Sequence, residues 1–262
     1  MEIMKMNENI HRITLPYKDI FTTVYTVKTD KGVLMFDAAS YDTDLEQYIQ
    51  PMLDELKISA ADLKYIFISH NHGDHAGGLR PIMEAYPNAT ILSRSPKLAE
   101  NYAGYKVEAL EDGDKVLDVL QIVTIPGHTK DSAAILDTRT KTMISGDCLQ
   151  LYGIFGSDDW ASNIIYPADH LQSLAKLWTM DIENIYTAHD YHPHGFKHEG
   201  KEAVAKVLVA CEEPLTLVKI LIENNPELDD EAIRQKYNAT GTIPTLRVRV
   251  VSEVRAMLDQ AK

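Results

Sequence analysis

The sequence predicts an α/β fold followed by a helical appendage, and three observations support this class. Short β-branched and apolar runs alternate with amphipathic helical patterns up to Gly195. Histidine and aspartate residues follow several of these runs, at the strand ends where α/β proteins usually carry their chemistry. After Gly195 the apolar residues recur at spacings of three and four, which is typical of helices with one buried face.

The first half of the chain predicts a strand meander followed by alternating strands and helices. A turn at residues 29–32 separates the second and third strands, because Gly32 can adopt the positive φ that such a turn needs. Ile49 and Met52 share one face of the first predicted helix. The predicted strands are 10–15, 22–28, 33–37, 65–68 and 89–92, and the predicted helices are 42–56, 79–85 and a short one ending near residue 102.

The second half predicts four further strands and then a helical tail. The strands are 116–125, 132–136, 142–144 and 182–188, with a helix at 167–180 before the last of them. Four helices follow: one for each apolar stripe at 203–211 and 215–222, one at 230–237 capped by Asp229, and one starting near Pro244. We expect a catalytic domain at residues 1–198 and a helical extension at 199–262 that caps the site or forms a homodimer.

Composition limits the classes of function. The chain has 262 residues, of which 45% are hydrophobic and 25% charged, as in a globular protein with a sizeable core. Its net charge of −13 argues against nucleic-acid binding, which needs a basic surface, and leaves a small-molecule substrate as the expected partner. Two cysteines are too few for a disulfide framework, and no run has the length of a membrane span. We therefore expect a cytoplasmic protein.

One short stretch concentrates metal-ligating side chains. His70, His72, Asp74 and His75 fall within six residues, directly after the predicted strand at 65–68. Imidazole and carboxylate groups together suit zinc, iron or manganese. A solvated polar loop is the alternative interpretation, but three imidazoles and a carboxylate this close rarely arise for packing reasons. The stretch predicts a metal site.

Three later loops follow predicted strands in the same way and carry His128, Asp147 and His189. Alone, each would be read as a surface loop residue or a turn. Asp37 ends the third predicted strand and has two interpretations, a turn acid or a carboxylate that supports a metal ligand.

The loop at 150–167 is rich in glycine and carries four aromatic residues. Such a loop beside a polar site predicts walls of a substrate pocket, although a loop that only covers the core is the alternative. The aromatic residues are Tyr152, Phe155, Trp160 and Tyr166.

Taken in order, these motifs resemble those of the metallo-β-lactamase-fold hydrolases, which carry His-x-His-x-Asp-His and then a distant His, Asp and His. The match spans roughly residues 10 to 195 and fills every ligand position. It consists of His70-Asn-His72-Gly-Asp74-His75, Pro126-Gly127-His128-Thr129, Gly146-Asp147 and Ala188-His189-Asp190. The resemblance implies a four-layer αββα sandwich, with the helical extension outside it.

The resemblance also implies two divalent metal ions, zinc first, with iron or manganese as alternatives. Seven protein ligands exceed what one tetrahedral ion takes, but they suit two ions that share a carboxylate and a water. By position, the ligands of the first ion are His70, His72 and His128. Those of the second ion are Asp74, His75 and His189. Asp147 is the expected bridge.

The activity implied by the resemblance is hydrolysis of an ester, thioester or lactone bond in a small molecule by metal-bound hydroxide. Glyoxalase II, thioesterases and lactonases are the groups that the chain resembles. Asp74 is a candidate proton shuttle, and His192, His194 or Tyr191 is a candidate proton donor or substrate-orienting group. A plain loop position is an equal alternative for these last three residues.

At two ligand positions the sequence differs from related groups of the family, and these differences narrow the expected activity. Lactam-cleaving members usually carry cysteine where this chain has Asp147, and diiron flavoproteins carry glutamate where it has His72. Two other reactions stay open. One is a small-molecule phosphodiesterase, and the other is a mononuclear iron dioxygenase of the persulfide type that uses His70, His128 and Asp147.

Overall fold

A computed structural model of the chain describes residues 2–18, 20–150, 163–189, 195–242 and 245–260. The chain divides into two compact units, residues 1–123 and 124–262. The expected boundary between residues 198 and 199 stays a prediction. Among the described residues, no helix is both long and apolar enough to cross a membrane.

The first sheet has seven strands that lie in chain order. Its strands are β1 (Met4–Lys5), β2 (Ile10–Tyr17), β3 (Ile20–Thr29), β4 (Gly32–Phe36), β5 (Leu63–Phe67), β6 (Thr90–Ser93) and β7 (Val107–Ala109). β1 to β4 are antiparallel, whereas β4 to β7 are parallel. The strand meander predicted for this half is confirmed. Gly32, with φ of 132°, closes the predicted turn between β3 and β4.

The helices of the first unit cover one face of this sheet. A π-helical turn, Leu45–Ile49, runs into α1 (Gln50–Glu55), and α2 (Gly73–Ala76), α3 (Leu79–Ala85) and α4 (Pro96–Asn101) follow. Ile49 and Met52 pack with Leu15 and Met35 in the core. The first helix begins later than residue 42, because the Asp44 carboxylate accepts the backbone N–H groups of residues 40 and 41 and holds a turn there.

The parallel register of β4 and β5 determines which loops meet. Phe36 lies beside Phe67 at the carboxyl ends of the two strands, and their rings stack at 5.0 Å. Asp37 and Ser69 leave this same edge, so the Ser69 backbone N–H donates to Asp37 Oδ1 at 2.8 Å. The loop that carries the histidine cluster therefore starts beside Asp37.

The second sheet has six strands in the order β13-β12-β11-β10-β9-β8. They are β8 (Lys115–Val116), β9 (Leu120–Thr124), β10 (Ala133–Asp137), β11 (Thr142–Ile144), β12 (Asn184–Tyr186) and β13 (Lys197–Glu199). The single strand predicted at 116–125 is wrong. Leu117 and Asp118 take φ of 48° and 66°, and this left-handed pair turns the chain between β8 and β9.

β11 and β12 are parallel, and their register places two candidate ligands at one edge of the second sheet. Ile144 lies beside Tyr186. Asp147 and His189 each follow three residues after these positions. The Ser145 N–H donates to the Tyr186 carbonyl oxygen at 3.0 Å, so the pairing continues past the strand ends.

The helices of the second unit are α5 (Pro167–Trp178), α6 (Lys201–Asn224), α7 (Asp230–Asn238) and α8 (Val248–Gln260). Three helices, rather than the predicted four, are thus found in the described residues after Gly195. The two predicted apolar stripes, 203–211 and 215–222, form one helix because Cys211 and Leu215 continue the same buried face. This packing outweighs the loss of the helix hydrogen bond that Pro214 cannot donate. The Asp229 cap is confirmed: its Oδ1 accepts the Ala232 N–H at 2.8 Å.

Candidate metal centre

The histidine cluster of the first unit is held by a short helix and two glycines. His70 follows β5, His72 precedes α2, and Asp74 and His75 lie within α2. The backbone of residues 38–40 packs directly on this helix, since the Ala38 N–H donates to the His75 carbonyl oxygen at 2.7 Å. Gly77 and Gly78 are required there, because a Cβ at either would lie 2.1–2.4 Å from a backbone carbonyl oxygen of that segment.

Asp37 determines the tautomer of His75. Asp37 Oδ2 lies 2.7 Å from His75 Nδ1, and both side chains are buried. A carboxylate accepts, so His75 Nδ1 carries the hydrogen and Nε2 carries the lone pair. Burial raises the pKa of the Asp37 carboxyl group, while the interactions with His75 and Ser69 lower it. These contacts favour the interpretation that Asp37 supports a metal ligand.

The same carboxylate acts on His70 through Ser69. The Ser69 hydroxyl donates its one hydrogen to Asp37 Oδ2 at 3.0 Å, so its oxygen accepts from His70 Nδ1, also at 3.0 Å. His70 Nε2 then carries a lone pair and faces His72 Nδ1 at 3.0 Å. Both buried histidines of the cluster therefore present a ligating nitrogen.

The donor set of the first unit fits a divalent cation. His75 Nε2 and Asp74 Oδ2 are 3.3 Å apart, and both are acceptors in the tautomer that Asp37 imposes. Two acceptors at this distance repel one another unless a proton or a metal ion lies between them. Neutral imidazole and carboxylate are also the forms in which these side chains bind metals.

In the second unit, His128 is oriented by the segment that leads into α5. The Asn163 carbonyl oxygen lies 3.0 Å from His128 Nδ1 and can only accept, so His128 Nε2 carries the lone pair. The Asn163 side-chain amide donates to the Asp147 carbonyl oxygen at 3.4 Å. One residue thus positions two candidate ligands.

Asp147 presents one oxygen to each of two histidines. Its Oδ2 lies 3.6 Å from His128 Nε2, and its Oδ1 lies 3.3 Å from His189 Nε2. All three side chains are buried. A carboxylate with its two oxygens directed at different imidazoles has the orientation that a bridging ligand requires, so this donor set also fits metal binding.

His170 was not identified from the sequence, although it supports the His128 loop. A Cβ on Gly127, whose φ is 151°, would lie 2.9 Å from His170 Cα, so the two backbones touch. His170 Nε2 donates to the Cys211 carbonyl oxygen on α6 at 3.1 Å. Burial lowers the pKa of His170 to about 4, so it is neutral at pH 7.

Within each unit, the structure brings the predicted ligands together. His70, His72, Asp74 and His75 cluster in the first unit, and Asp147 contacts both histidines of the second. Each of the seven side chains offers a ligating nitrogen or carboxylate oxygen for a metal ion. Ser69 and Asn163 were missed, because a serine and an asparagine in a loop have no distinctive spacing. Tyr191, His192, His194 and residues 151–162 lie outside the described residues.

Comparison with known proteins agrees with these features. The sequence model of the metallo-beta-lactamase superfamily matches residues 17–189, a range that includes all seven candidate ligands. The chain belongs to the metallo-beta-lactamase superfamily. The predicted family and α/β fold class are confirmed.

Three similar proteins illustrate the range of this family. A beta-lactamase-like protein 2 homolog from Caenorhabditis elegans is 25% identical over 73% of this chain and 67% of its own length. A hydroxyacylglutathione hydrolase from Francisella philomiragia is 29% identical over 58% of this chain, which spans 61% of that relative. A metallo-beta-lactamase family protein from Thermus thermophilus superposes with a TM-score of 0.62 at 18% identity, covering 97% of this chain and 93% of the other.

Family membership and the hydrolase relatives support the predicted enzyme class, a metal-dependent hydrolase. The histidine and aspartate groups of the two units indicate divalent metal ions as the cofactor.

Proposed function

We propose that the chain is a dinuclear metal-dependent hydrolase that cleaves a thioester, ester or lactone bond of a small molecule. The Asp147 carboxylate is the observation that carries this proposal. Its two oxygens face His128 and His189 separately, as expected of a group that bridges two ions. A mononuclear dioxygenase would need no second set of ligands. It would also leave the contact between Asp37 and His75 unexplained, because contacts of this kind orient histidines that bind a metal.

In this proposal His70, His72 and His128 hold the first ion. Asp74, His75 and His189 hold the second, and Asp147 binds both. When bound, the two ions would supply a hydroxide at neutral pH and polarise the scissile carbonyl group. Zinc is our proposed ion, since imidazole and carboxylate ligands suit it and it needs no redox partner.

The chain's own residues keep the ligands basic and oriented. Asp37 and Ser69 fix the imidazoles of His75 and His70, and the Asn163 carbonyl oxygen fixes that of His128. Asp74 is less buried than His75, with 14% of its side chain exposed, so its carboxylate is our proposed proton shuttle to the leaving group.

Among the three bond types, a thioester is the substrate class that we favour. The relatives named hydroxyacylglutathione hydrolase support it, although this chain spans only 61% of the length of the one described above. The net charge of −13 agrees with a small substrate rather than a polymer.

Metal analysis combined with a substrate panel tests the proposal. The purified protein should contain about two zinc ions per chain. It should hydrolyse small thioesters faster than lactones, simple esters or bis-nitrophenyl phosphate. Removal of metal by a chelator should abolish turnover, and zinc should restore it. One iron per chain together with oxygen uptake would refute the hydrolase, and preferred turnover of the phosphodiester would refute the acyl substrate.

A further inference from the structure

Helix α2 carries two proposed ligands of the second ion, Asp74 and His75, but it is only four residues long. A single helical turn is not stable alone, because fixing its backbone dihedral angles costs more conformational entropy than its few hydrogen bonds offset. Contacts from outside the helix must therefore hold it. The backbone carbonyl groups of α2 show where those contacts are made.

Two carbonyl groups of α2 are hydrogen-bonded by other elements of the first unit. The His75 carbonyl oxygen accepts the N–H of Ala38, which follows β4, at 2.7 Å. The Asp74 carbonyl oxygen lies 2.5 Å from the hydroxyl oxygen of Thr22 in β3. A carbonyl oxygen can only accept, so the Thr22 hydroxyl is the donor. The helix is therefore held by β3 on one side and by the segment after β4 on the other.

The Thr22 hydroxyl bonds the peptide group that joins the two ligands to each other. The six atoms of a peptide group, from one Cα to the next, lie close to a plane. Fixing the Asp74 carbonyl oxygen therefore restricts the Cα atoms of Asp74 and His75 together. Their ligand atoms, Asp74 Oδ2 and His75 Nε2, lie 3.3 Å apart. Rotation of this peptide group would change that separation, so one hydrogen bond helps to set the spacing of both ligand atoms.

A second threonine of β3 shows that the fold alone does not require this hydrogen bond. Side chains alternate along a strand, so Thr22, Val24 and Thr26 share one face of β3. All three are fully buried, and Val24 packs in the apolar core of the first unit. The hydroxyl oxygen of Thr26 has no hydrogen-bond partner among the described residues. Burial on this face therefore tolerates a threonine without a partner, whereas Thr22 has a specific one.

We propose that Thr22 is a positioning residue for the second metal ion, which acts by fixing the peptide group between Asp74 and His75. This inference rests on the proposed two-metal function and deepens it. The ligands that we assign to the first ion lie outside α2. Thr22 thus differs from Asp37, whose contacts orient histidines assigned to both ions. Loss of the Thr22 hydroxyl should weaken the second ion selectively.

The test measures zinc binding at the two sites separately. Histidine-selective NMR follows the Nε2 resonances of His75 and His70 while a chelator buffer sets the concentration of free zinc. Thr22→Val keeps the shape of the side chain and removes the donor. The free zinc concentration that half-saturates His75 should rise about tenfold, as expected when a group that orients a metal ligand is lost. The concentration that half-saturates His70 should stay unchanged.

Two matched variants identify the hydroxyl as the cause. Thr22→Ser retains the donor and should restore wild-type zinc binding at His75. Thr26→Val makes the same exchange at a buried position of the same strand, where the hydroxyl has no partner among the described residues, and should leave both histidines unchanged. Thr22→Ala also removes the donor, and it takes the place of Thr22→Val if that variant does not fold.

The outcomes separate this inference from the proposed function, because the measurement does not depend on turnover. Equal zinc binding at His75 in wild type and Thr22→Val would overturn the role of Thr22. Equal weakening at His70 and His75 would also overturn it, because a general loss of packing would affect both sites. If no thioester is hydrolysed but the selective weakening at His75 is found, the proposed function fails and the role of Thr22 stands.

Discussion

Asp37 Oδ2 lies 2.7 Å from His75 Nδ1, in a buried pair that joins the end of β4 to helix α2. The same oxygen accepts the hydroxyl hydrogen of Ser69, which in turn orients His70. A single carboxylate therefore sets the tautomer of two candidate ligands that we assign to different ions. This arrangement makes Asp37 the residue whose loss should affect both ions.

Asp37→Asn should weaken metal binding without removing a ligand. The amide keeps the volume but cannot accept from both His75 and Ser69 as the carboxylate does. We expect metal affinity to fall by about 10–100-fold, as for other groups that orient a metal-bound histidine. Competition with a chromogenic chelator measures this change. Asp44→Asn is the control, because Asp44 is a buried aspartate that holds only backbone N–H groups of the neighbouring turn. An equal effect in both variants would contradict the role of Asp37.

Asp147→Ala should have a larger effect, because it removes the proposed bridge. We expect less than one bound ion per chain and a loss of turnover beyond the roughly 10–100-fold that follows loss of an orienting residue. Elemental analysis and steady-state kinetics on the best thioester measure both. Asp131→Ala is the control, because Asp131 is a loop carboxylate close to His128 in the sequence to which we assign no ligand role. Full turnover with two metals in Asp147→Ala would show that the mechanism is wrong.

Gly127→Ala should destabilise the second unit and disturb His128. The residue has φ of 151°, and its new Cβ would lie 2.9 Å from two atoms of His170. We expect the free energy of unfolding to fall by about 1–3 kcal/mol, measured by urea denaturation. Gly104→Ala is the matched control, since nothing lies within 4 Å of its Cβ position. A similar loss at both positions would argue against the close approach of Gly127 and His170.

His170 should make stability depend on pH in a defined window. Its pKa is about 4 in the folded chain, against 6.5 for an ordinary histidine, so the unfolded state binds more protons between these values. The free energy of unfolding should therefore be unaffected above pH 6.5 and fall by about 3 kcal/mol as the pH drops to 4. Denaturation of the chelator-treated protein at several pH values measures this. His170→Gln should reduce the slope of the free energy of unfolding against pH by up to the equivalent of one bound proton. Identical slopes for wild type and His170→Gln would contradict the assignment of this pH dependence to His170.

Helix α6 should be essential to the second unit. It packs against α5, β12 and β13, and Val207 is 3% exposed on its buried face. Val207→Asp should lower the free energy of unfolding by about 3–5 kcal/mol, because it buries an unpaired charge. Val209→Asp, at a position that is 55% exposed, should change it by less than about 0.5 kcal/mol.

Deletion of residues 199–262 tests the same helix together with the predicted extension. The truncated chain should aggregate, as judged by size-exclusion chromatography. A soluble truncated chain with unchanged kinetics would show that residues 199–262 neither cap the site nor stabilise the rest of the chain.

Local sequence patterns were sufficient for the elements that depend on short-range chemistry. Apolar runs predicted most strands, and Asp229 predicted a helix start, because strand periodicity and capping act within a few residues. They failed at residues 116–125, where a turn of two left-handed residues interrupts an apolar run. They failed again at Pro214, where a continuous buried face keeps one helix intact.

The sequence by itself determined which side chains have metal-ligating chemistry, because His70, His72, Asp74 and His75 stand in one short stretch. Only the tertiary structure decided how they are held. Asp37 reaches Ser69 and His75 because parallel β4 and β5 place their carboxyl ends side by side. Asp147 meets His189 because β11 and β12 do the same. These partners are 32 to 42 residues apart in the chain, and strand register, which depends on packing across the whole sheet, brings them together.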